Sequence, residues 1–345
     1  MGVIEPGLRT RLENFIAEAT SAKSVALLAL EPLSGGAVQE NWRLDVEFAD
    51  GPYRGKRAWV LRATAPAGIP NSHSRAEEFA LLETAHGAGV LVPKPLFLCN
   101  EKSVFGRDFF IMERLSGLAA GHRLVRDENL DGEGLLRHLG TELGHIHGIR
   151  PPPCQALGFL DLPEVSPALE AVRRLRAQIE AHPQPHPVFE WGLRWLEQHA
   201  PEAQAVVLCH RDFRTGNYLV EAGKLTGLLD WEFAGWGDPM EDVGWFCAKC
   251  WRFGANAREA GGIGSREAFY RAYEEASGLL IVPPSVHYWE VMAHLRWGVI
   301  AVQQCGRHLS GKRPSLELAL TGRLVAEMEL EILALIERAD RGEEA

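Results

Sequence analysis

Hydrophobic and polar residues change their spacing about one third of the way along the chain. In the first part, segments with apolar residues at helical spacing are mixed with segments in which they alternate as in a β-strand. The turn sequence Asp50-Gly51-Pro52 separates two strand-like segments and predicts a β-hairpin. The elements predicted for this part are helices over residues 7–19 and 74–88 and strands over residues 42–48, 58–62 and 109–112.

After Gly117 the spacing is almost entirely helical. Helices are predicted over residues 135–147, 167–181 and 188–199, and over several segments from Met240 onward. The exception is a β-rich segment at residues 205–229, in which residues 218–220 and 225–229 predict a second hairpin. This order indicates an α+β fold with two lobes. We place a β-rich N-lobe at residues 1–114 and a mainly helical C-lobe at residues 115–345.

The composition is that of an ordinary globular protein, and it narrows the choice of partners. Of the 345 residues, 46% are hydrophobic and 24% are charged. The net charge of −10 argues against nucleic acid or an anionic membrane as the main partner. No apolar run is long enough to span a bilayer, no secretory signal is evident, and the six cysteines are scattered. A reducing cytoplasm is therefore the expected location.

The residues that carry chemistry are concentrated in the β-rich segment. Asp212 lies on the loop before the second hairpin, Asn217 directly precedes its first strand, and Asp230 directly follows its second strand. Because paired antiparallel strands bring their outer ends together, Asn217 and Asp230 are expected at the same end of the hairpin. Oxygen atoms of these residue types suit Mg²⁺, which takes one or two carboxylates plus substrate phosphates. Asp212 is then free to accept or orient the proton of an attacking hydroxyl or amine, and this set predicts phosphoryl transfer.

A simpler interpretation of the same residues is a surface turn. Asp, Thr, Gly and Asn all favour turns, and Asp230 alone could cap the segment that follows it. The joint occurrence of three residues at these spacings, together with the order of the lobes, favours a functional site. His210 is interpreted as a residue that holds the loop, and not as a proton carrier.

The motifs of this segment resemble those of a known family. His210-Arg211-Asp212 followed by Asn217 resembles the catalytic loop of kinases, and Asp230-Trp231-Glu232 stands where protein kinases have Asp-Phe-Gly. With Gly237-Asp238-Pro239 and Asp242, the pattern is similar to the aminoglycoside phosphotransferase/choline kinase family. It looks closest to the branch that includes kinase-like domains fused to acyl-CoA dehydrogenases. The resemblance implies a protein-kinase-like fold, with Asp212 as the catalytic residue and Asn217 and Asp230 as metal ligands.

The resemblance also implies residues that bind the nucleotide. Kinase folds place a lysine on the third strand, where this chain has Arg62, so Arg62 is expected to hold the α- and β-phosphates. An exposed arginine at a strand end is the alternative. Glu78 on the following helix is the expected partner of Arg62, and Glu77 is the neighbouring candidate.

Two further segments complete the expected nucleotide site. The backbone of Ser34-Gly35-Gly36 is predicted to approach the phosphates, although an ordinary turn explains these residues about equally well. Met112, Glu113 and Arg114 fall where the hinge between the lobes receives adenine in the resembled family, mostly through backbone groups.

The remaining polar residues have mainly structural interpretations. Asp238 and Asp242 are interpreted as residues that cap a helix start, and the role of Glu232 is left open between metal, substrate and solvent. Cys247 and Cys250 lie in an apolar helical run without a second cysteine pair, so packing is favoured over a zinc site.

These observations predict an enzyme that uses ATP and Mg²⁺ to phosphorylate a hydroxyl of a small molecule. Within the enzyme class the alternative is an aminoglycoside (antibiotic) phosphotransferase, which the acidic net charge favours slightly and the Asp230-Trp231-Glu232 pattern disfavours. A non-catalytic nucleotide-binding pseudokinase is the alternative from another class. Arg62 in place of lysine is the feature that supports it. The acceptor is not identified by any residue of the sequence.

Overall fold

The computed structural model describes residues 6–33, 40–65, 72–151, 155–182, 184–311 and 314–343. The chain forms two compact units, each assembled from separate stretches of sequence. The first unit comprises Met1–Ala120, Pro153–Phe159 and Tyr218–Phe233, and the second comprises Gly121–Pro152, Leu160–Asn217 and Ala234–Ala345. The lobe boundary after Arg114 stays a prediction. None of the helices in these described ranges is both long and apolar enough to cross a membrane.

The first unit is built on a five-stranded antiparallel sheet with strand order β1-β2-β3-β5-β4. Its strands are β1 (Val25–Pro32), β2 (Glu40–Phe48), β3 (Gly55–Ala63), β4 (Pro95–Cys99) and β5 (Phe109–Glu113). Its helices are α1 (Pro6–Thr20), α2 (Arg75–Gly87) and the short α3 (Lys102–Phe105). One face of the sheet forms an apolar core with α1, in which Leu12, Leu44 and Leu61 are fully buried.

Helix α2 begins with a capping box. The Ser74 hydroxyl accepts the backbone N–H of Glu77, and the Glu77 carboxylate accepts the backbone N–H of Ser74. This reciprocal pair fixes the first turn of the helix. Glu77 is thereby committed to the cap, while the next residue, Glu78, points into the protein and is 2% exposed.

A separate hairpin belongs to the same unit. Its strands are β7 (Tyr218–Glu221) and β8 (Lys224–Leu228), and Tyr218 lies opposite Leu228. The hairpin is attached to the rest of the unit by backbone hydrogen bonds from Leu228 N to Leu91 O (2.7 Å) and from Leu118 N to Val220 O (2.9 Å). Asn217 therefore immediately precedes the first strand, and Asp230 follows the second.

The second unit is mainly helical. Its helices are α4 (Gly121–Leu124), α5 (Gly132–His147), α6 (Pro167–Glu180), α7 (Pro187–Gln198), α8 (Pro239–Cys247), α9 (Arg266–Ser277), α10 (Pro283–Leu309), α11 (Leu316–Gly322) and α12 (Val325–Asp340). Two short antiparallel strands, β6 (Val207–Cys209) and β9 (Gly235–Gly237), lie on either side of the hairpin in sequence and pair with each other. This pairing fixes the chain immediately before His210.

The sequence patterns located most of the long elements. The predicted helices at residues 7–19, 74–88, 135–147, 167–181 and 188–199, the strands at 42–48, 58–62 and 109–112, and the second hairpin are all present within a few residues. Strands β1 and β4 were not predicted. In β1 only the alternation of buried and exposed positions from Val25 to Leu28 is regular, and β4 opens with a proline, which cannot donate a strand hydrogen bond.

Candidate active site

Arg62 and Glu78 form a buried ion pair in the first unit. The last five residues of β3 are all buried, and Arg62 is 3% exposed, so the alternative of an exposed strand-end arginine is wrong. Arg62 Nε donates to Glu78 Oε2 at 3.0 Å, and Arg62 Nη2 lies 2.8 Å from Glu78 Oε1. Of the two glutamates considered as partners, the structure brings Glu78 to Arg62. Burial disfavours the charge on Arg62, but Glu78 and Asp230 outweigh it and raise its pKa.

Asp230 is the second carboxylate on Arg62. Its Oδ1 lies 3.1 Å from Arg62 Nη1, and its side chain is 37% exposed. The backbone of Asp230 has φ of 60°, a left-handed conformation that is uncommon for residues other than glycine and often marks functional sites. Asp230 Oδ2 has no hydrogen bond or ion pair with any described residue. A half-exposed carboxylate with one open oxygen fits a hard cation such as Mg²⁺.

The other predicted nucleotide contacts are placed less favourably or lie outside the described ranges. Ser34, Gly35 and Gly36 fall outside the described residues. Met112 is buried in β5 opposite Val60. The backbone N–H groups of Glu113 and Arg114 already bond to Lys94 O (2.9 Å) and Ala58 O (3.2 Å).

The Arg114 guanidinium is also engaged, since it pairs with Asp45 at 2.7 Å. These two N–H groups are thus not free to bind adenine in this conformation. Their backbone carbonyls are the groups that could contact a base, so the expected adenine contacts stay a prediction.

In the second unit, Asp212 is held by three donors. Its Oδ1 accepts hydrogen bonds from Arg214 Nε and Trp245 Nε1, each at 3.1 Å, and its Oδ2 accepts one from Asn217 Nδ2 at 2.5 Å. The backbone N–H of Asp212 donates to His210 Nδ1 at 3.2 Å. His210 is buried and holds the loop, as its structural interpretation implied. The Asp212 carboxylate is thus fixed in direction and 16% exposed.

Asn217 is brought directly to Asp212. Its Nδ2 also donates to the backbone carbonyl of Asp212 at 3.0 Å, and the residue is 4% exposed. Because both bonds use the amide nitrogen, Oδ1 remains the atom that can bind a cation. The structure therefore joins two of the predicted site residues in the second unit and joins Arg62, Glu78 and Asp230 in the first.

Asp242 anchors the loop that carries Asp212. Its Oδ2 accepts the backbone N–H of His210 at 2.6 Å, and its Oδ1 accepts that of Arg211 at 2.7 Å. His147 Nε2 donates to the same carboxylate at 3.2 Å. Burial would raise the pKa of Asp242, but these hydrogen bonds and the nearby histidines lower it below its usual value.

The interpretation of Asp242 as a helix cap is therefore wrong, because its carboxylate faces the loop that carries Asp212. The sequence around Asp242 could have indicated this role, because the residue lies among the apolar, buried residues Met240 and Val243 of α8, where a carboxylate needs hydrogen-bond partners. Arg211, whose backbone N–H donates to Asp242, has φ of 62°. A residue with a strained backbone therefore directly precedes Asp212.

His147, Cys209 and Asp242 are close enough together to resemble a metal site, with candidate ligand atoms within 4.8 Å of one another. Their polar atoms are already used. Tyr273 OH lies 2.9 Å from His147 Nδ1, the Asp242 oxygens accept the bonds described above, and the Cys209 thiol donates to Asp238 O at 3.3 Å. Burial raises the pKa of Cys209, which keeps the thiol protonated. This cluster is a structural anchor.

Asp238, Cys247 and Cys250 have the structural roles that were predicted. Asp238 is the N-cap of α8, and its carboxylate accepts the backbone N–H of Met240 at 2.8 Å. Cys247 is buried and Cys250 is half-buried, and both are free thiols. Glu232 lies in the first unit, is 7% exposed, and its carbonyl accepts the backbone N–H of His73 at 2.9 Å.

Arginines and tryptophans surround Asp212 and were not predicted. The Arg214 guanidinium stacks on Trp251, and the Arg296 guanidinium stacks on Trp245, each 4.5 Å from the ring centre. Arg296 also donates to Arg211 O at 2.8 Å and has no carboxylate partner among the described residues. No short motif links these residues, because they come from α8, α10 and the loops around them.

The comparison with protein families places the chain. Residues 29–279 match the family model for the APH phosphotransferase enzyme family. This match covers well over half of the sequence, and the chain belongs to the phosphotransferase enzyme family. In line with the resemblance stated from the motifs, a curated relative is the mouse protein acyl-CoA dehydrogenase family member 10, 28% identical over 294 residues. The match covers 79% of this chain and 26% of that protein, so the chain spans about a quarter of its length.

Solved structures show the same fold. A Ralstonia eutropha protein provisionally assigned as an aminoglycoside phosphotransferase superposes with a TM-score of 0.74 at 21% identity, covering 95% of this chain and 98% of that one. An aminoglycoside phosphotransferase in ternary complex with AMP-PNP and hygromycin B gives 0.60 at 16% identity, covering 95% and 98%. The predicted α+β, two-lobed, protein-kinase-like fold class is confirmed.

Proposed function

We propose that this phosphotransferase uses ATP and Mg²⁺ and transfers the γ-phosphate to a hydroxyl of a small molecule, with Asp212 as the base. The observation that carries the proposal is the Asp212 carboxylate, which Arg214, Trp245 and Asn217 hold in one direction. A base that is fixed before the substrate binds does not have to be oriented during the reaction.

The proposed reaction needs few protein groups. The acceptor oxygen attacks the γ-phosphorus, the bond from that phosphorus to the ADP oxygen breaks, and the hydroxyl proton goes to Asp212. Asn217 Oδ1 and Asp230 Oδ2 are the proposed Mg²⁺ ligands, and the ion when bound would neutralise charge on the phosphates. Arg62, held by Glu78, is proposed to contact the phosphates. Use of ATP is supported by the AMP-PNP complex of the structural neighbour.

The surroundings of Asp212 weigh against an aminoglycoside as acceptor. Aminoglycosides carry several positive charges, and their recognition needs carboxylates around the acceptor hydroxyl. In the second unit the side chains around Asp212 include Arg214, which pairs with it at 3.1 Å, and Arg296, which stacks on the Trp245 ring that donates to it. An acceptor without multiple positive charges is therefore proposed.

The proposal is tested in two measurements. Calorimetric titration with Mg²⁺·ATP should show binding that weakens without Mg²⁺. A screen of hydroxy compounds, with a panel of aminoglycosides included, should then show ADP release with a subset of the hydroxy compounds and none with the aminoglycosides. Binding without turnover by any acceptor would support a pseudokinase. Absence of both binding and turnover would refute the proposal, and turnover confined to aminoglycosides would replace the acceptor class.

A further inference from the structure

Arg75 is a second buried arginine beside the Arg62–Glu78 pair, and the proposed reaction does not use it. It is the first residue of α2 and is 3% exposed. One guanidinium nitrogen pairs with Glu78 Oε2, and Nη2 donates to His73 O at 3.3 Å. A cation is disfavoured at the N-terminus of a helix, and arginine is rarely buried unless it is paired. Its position therefore calls for a specific explanation.

Glu78 serves both arginines. Its Oε2 accepts Arg62 Nε at 3.0 Å and also pairs with Arg75, while its Oε1 faces Arg62 Nη2 at 2.8 Å. Arg75 Nε has no hydrogen-bond partner among the described residues. Burial lowers the pKa of Arg75 despite the attraction of Glu78. Arg75 is thus held at this place by charge more than by hydrogen bonds.

Arg75 changes the net charge of the ionisable side chains around Arg62. Five ionisable side chains interact here, two arginines and three carboxylates: Arg62, Arg75, Glu78, Asp230 and Glu232. Their sum is −1. Without Arg75 the sum would be −2, beside an arginine proposed to receive the phosphates of a nucleotide. Without the repulsion from Arg75, Glu78 would also hold Arg62 more firmly.

We propose that Arg75 is a positioning residue of the nucleotide site, which shares Glu78 with Arg62 so that Arg62 remains able to bind phosphate. The inference rests on the proposed use of ATP. Arg75 does not itself contact the nucleotide in this proposal. It sets the charge next to Arg62 and keeps Glu78 in place from the side of α2.

Nucleotide binding measured by calorimetry at fixed ionic strength tests the role of Arg75. Arg75→Gln should weaken Mg²⁺·ATP about tenfold, because one unit of charge is lost close to the phosphates in a buried site. AMP should lose about twofold or less, since it lacks the β-phosphate that Arg62 is also expected to hold. Arg75→Lys keeps the charge and should stay within about threefold of wild type. The matched control is Arg57→Gln, which removes an arginine of the same unit whose guanidinium bonds the backbone carbonyls of Lys56 and Arg54.

A compensating variant separates charge from structure. Arg75→Gln combined with Glu232→Gln returns the formal sum to −1 and should bring the ATP affinity back to within about threefold of wild type. This double variant also serves if Arg75→Gln alone does not fold, because the excess negative charge is removed.

The outcomes are distinguishable. If wild type binds ATP and a folded Arg75→Gln binds it within twofold, the role of Arg75 is refuted and the proposed function stands. An equal loss for ATP and AMP, or a double variant that folds but stays tenfold weaker, assigns Arg75 a structural role only. A wild type that binds no nucleotide overturns both proposals.

Discussion

The two groups of residues proposed to carry the reaction are stabilised in different ways. In the first unit, Arg62, Glu78 and Asp230 are held mainly by one another's charges. In the second unit, Asp212 is held by neutral and charged donors, and its loop is fixed by backbone N–H groups that bond to Asp242. The arrangement of the first group therefore depends on the charges of its members. The position of Asp212 depends on the conformation of the backbone that bonds to Asp242.

This difference separates the expected consequences of mutation. A charge-preserving substitution should be tolerated poorly in the second unit wherever the hydrogen-bond geometry changes. In the first unit the loss of nucleotide affinity should follow the charge of the substituted side chain and the number of hydrogen-bond donors that it retains. Binding of nucleotide and turnover of acceptor then respond differently, and the following substitutions test this contrast.

The largest effect is expected from Asp212→Asn. The amide cannot accept the acceptor proton, so turnover should fall by about 10²–10⁴-fold, the usual contribution of a general base. Affinity for Mg²⁺·ATP should stay within about threefold. Steady-state rates and calorimetric titration measure the two quantities, with the exposed Asp161→Asn as control. Undiminished turnover would remove Asp212 from its proposed role.

Asp242→Asn should damage both the fold and the rate. The amide nitrogen of asparagine would face at least one of the three N–H donors that the Asp242 carboxylate accepts, and that hydrogen bond would be lost. The free energy of unfolding should therefore fall by about 3 kcal/mol, as for other broken buried pairs. Turnover should fall at least about tenfold, because the loop before Asp212 loses its anchor. Chemical denaturation and steady-state kinetics measure this, with the exposed Glu267→Gln as control. Unchanged stability would contradict the anchoring role.

Arg62→Lys should have a smaller effect, confined to nucleotide binding. A lysine ammonium cannot bond the two Glu78 oxygens and the Asp230 oxygen at once, as the Arg62 guanidinium does. The cation would then be positioned less well for the phosphates, so affinity for Mg²⁺·ATP should fall about tenfold. Arg57→Lys on the same strand is the matched control, because the Arg57 guanidinium bonds only backbone carbonyls among the residues that the structure describes. Equal affinities of wild type and Arg62→Lys would show that charge alone is needed at this position.

The smallest effect on activity is expected from Asp238→Asn. Burial raises the pKa of Asp238 to about 6, against 3.8 for the ordinary group, so the folded protein binds a proton more tightly than the unfolded chain. The wild type should therefore lose about 1–2 kcal/mol of stability as the pH rises from about 4 to 6.5. Asparagine caps a helix as well as aspartate, so the variant should lose this pH dependence and change turnover less than twofold. Chemical denaturation of both proteins at several pH values measures this difference. If the stability of wild type and of Asp238→Asn changed with pH in parallel, the raised pKa of Asp238 would be contradicted.

Much of the fold was predictable because its long elements have regular spacing. The second hairpin followed from turn residues and strand alternation alone. Glu78 could be preferred over Glu77 only by analogy, and the structure gives the physical reason. Ser74 captures Glu77 in the capping box and leaves the next carboxylate to face Arg62.

The supporting residues were not predictable, because tertiary packing decides them. Trp245 reads as one of several apolar residues of α8, yet its indole N–H reaches Asp212. Arg296 lies in the middle of a 27-residue helix, and nothing around it in sequence indicates that it stacks on that indole. Arg75 resembles any charged residue at a helix start until its burial is known.

The interleaved course of the chain limits how the protein can be divided. Residues 1–120 contain Arg62, Arg75 and Glu78, but the hairpin and Asp230 of the same unit are encoded nearly a hundred residues later. A fragment that stops at Ala120 would leave Arg62 without one of its two carboxylates and the Leu91 carbonyl without its strand partner. Isolation of a nucleotide-binding half would therefore require circular permutation or a graft of residues 218–233, and not a simple truncation.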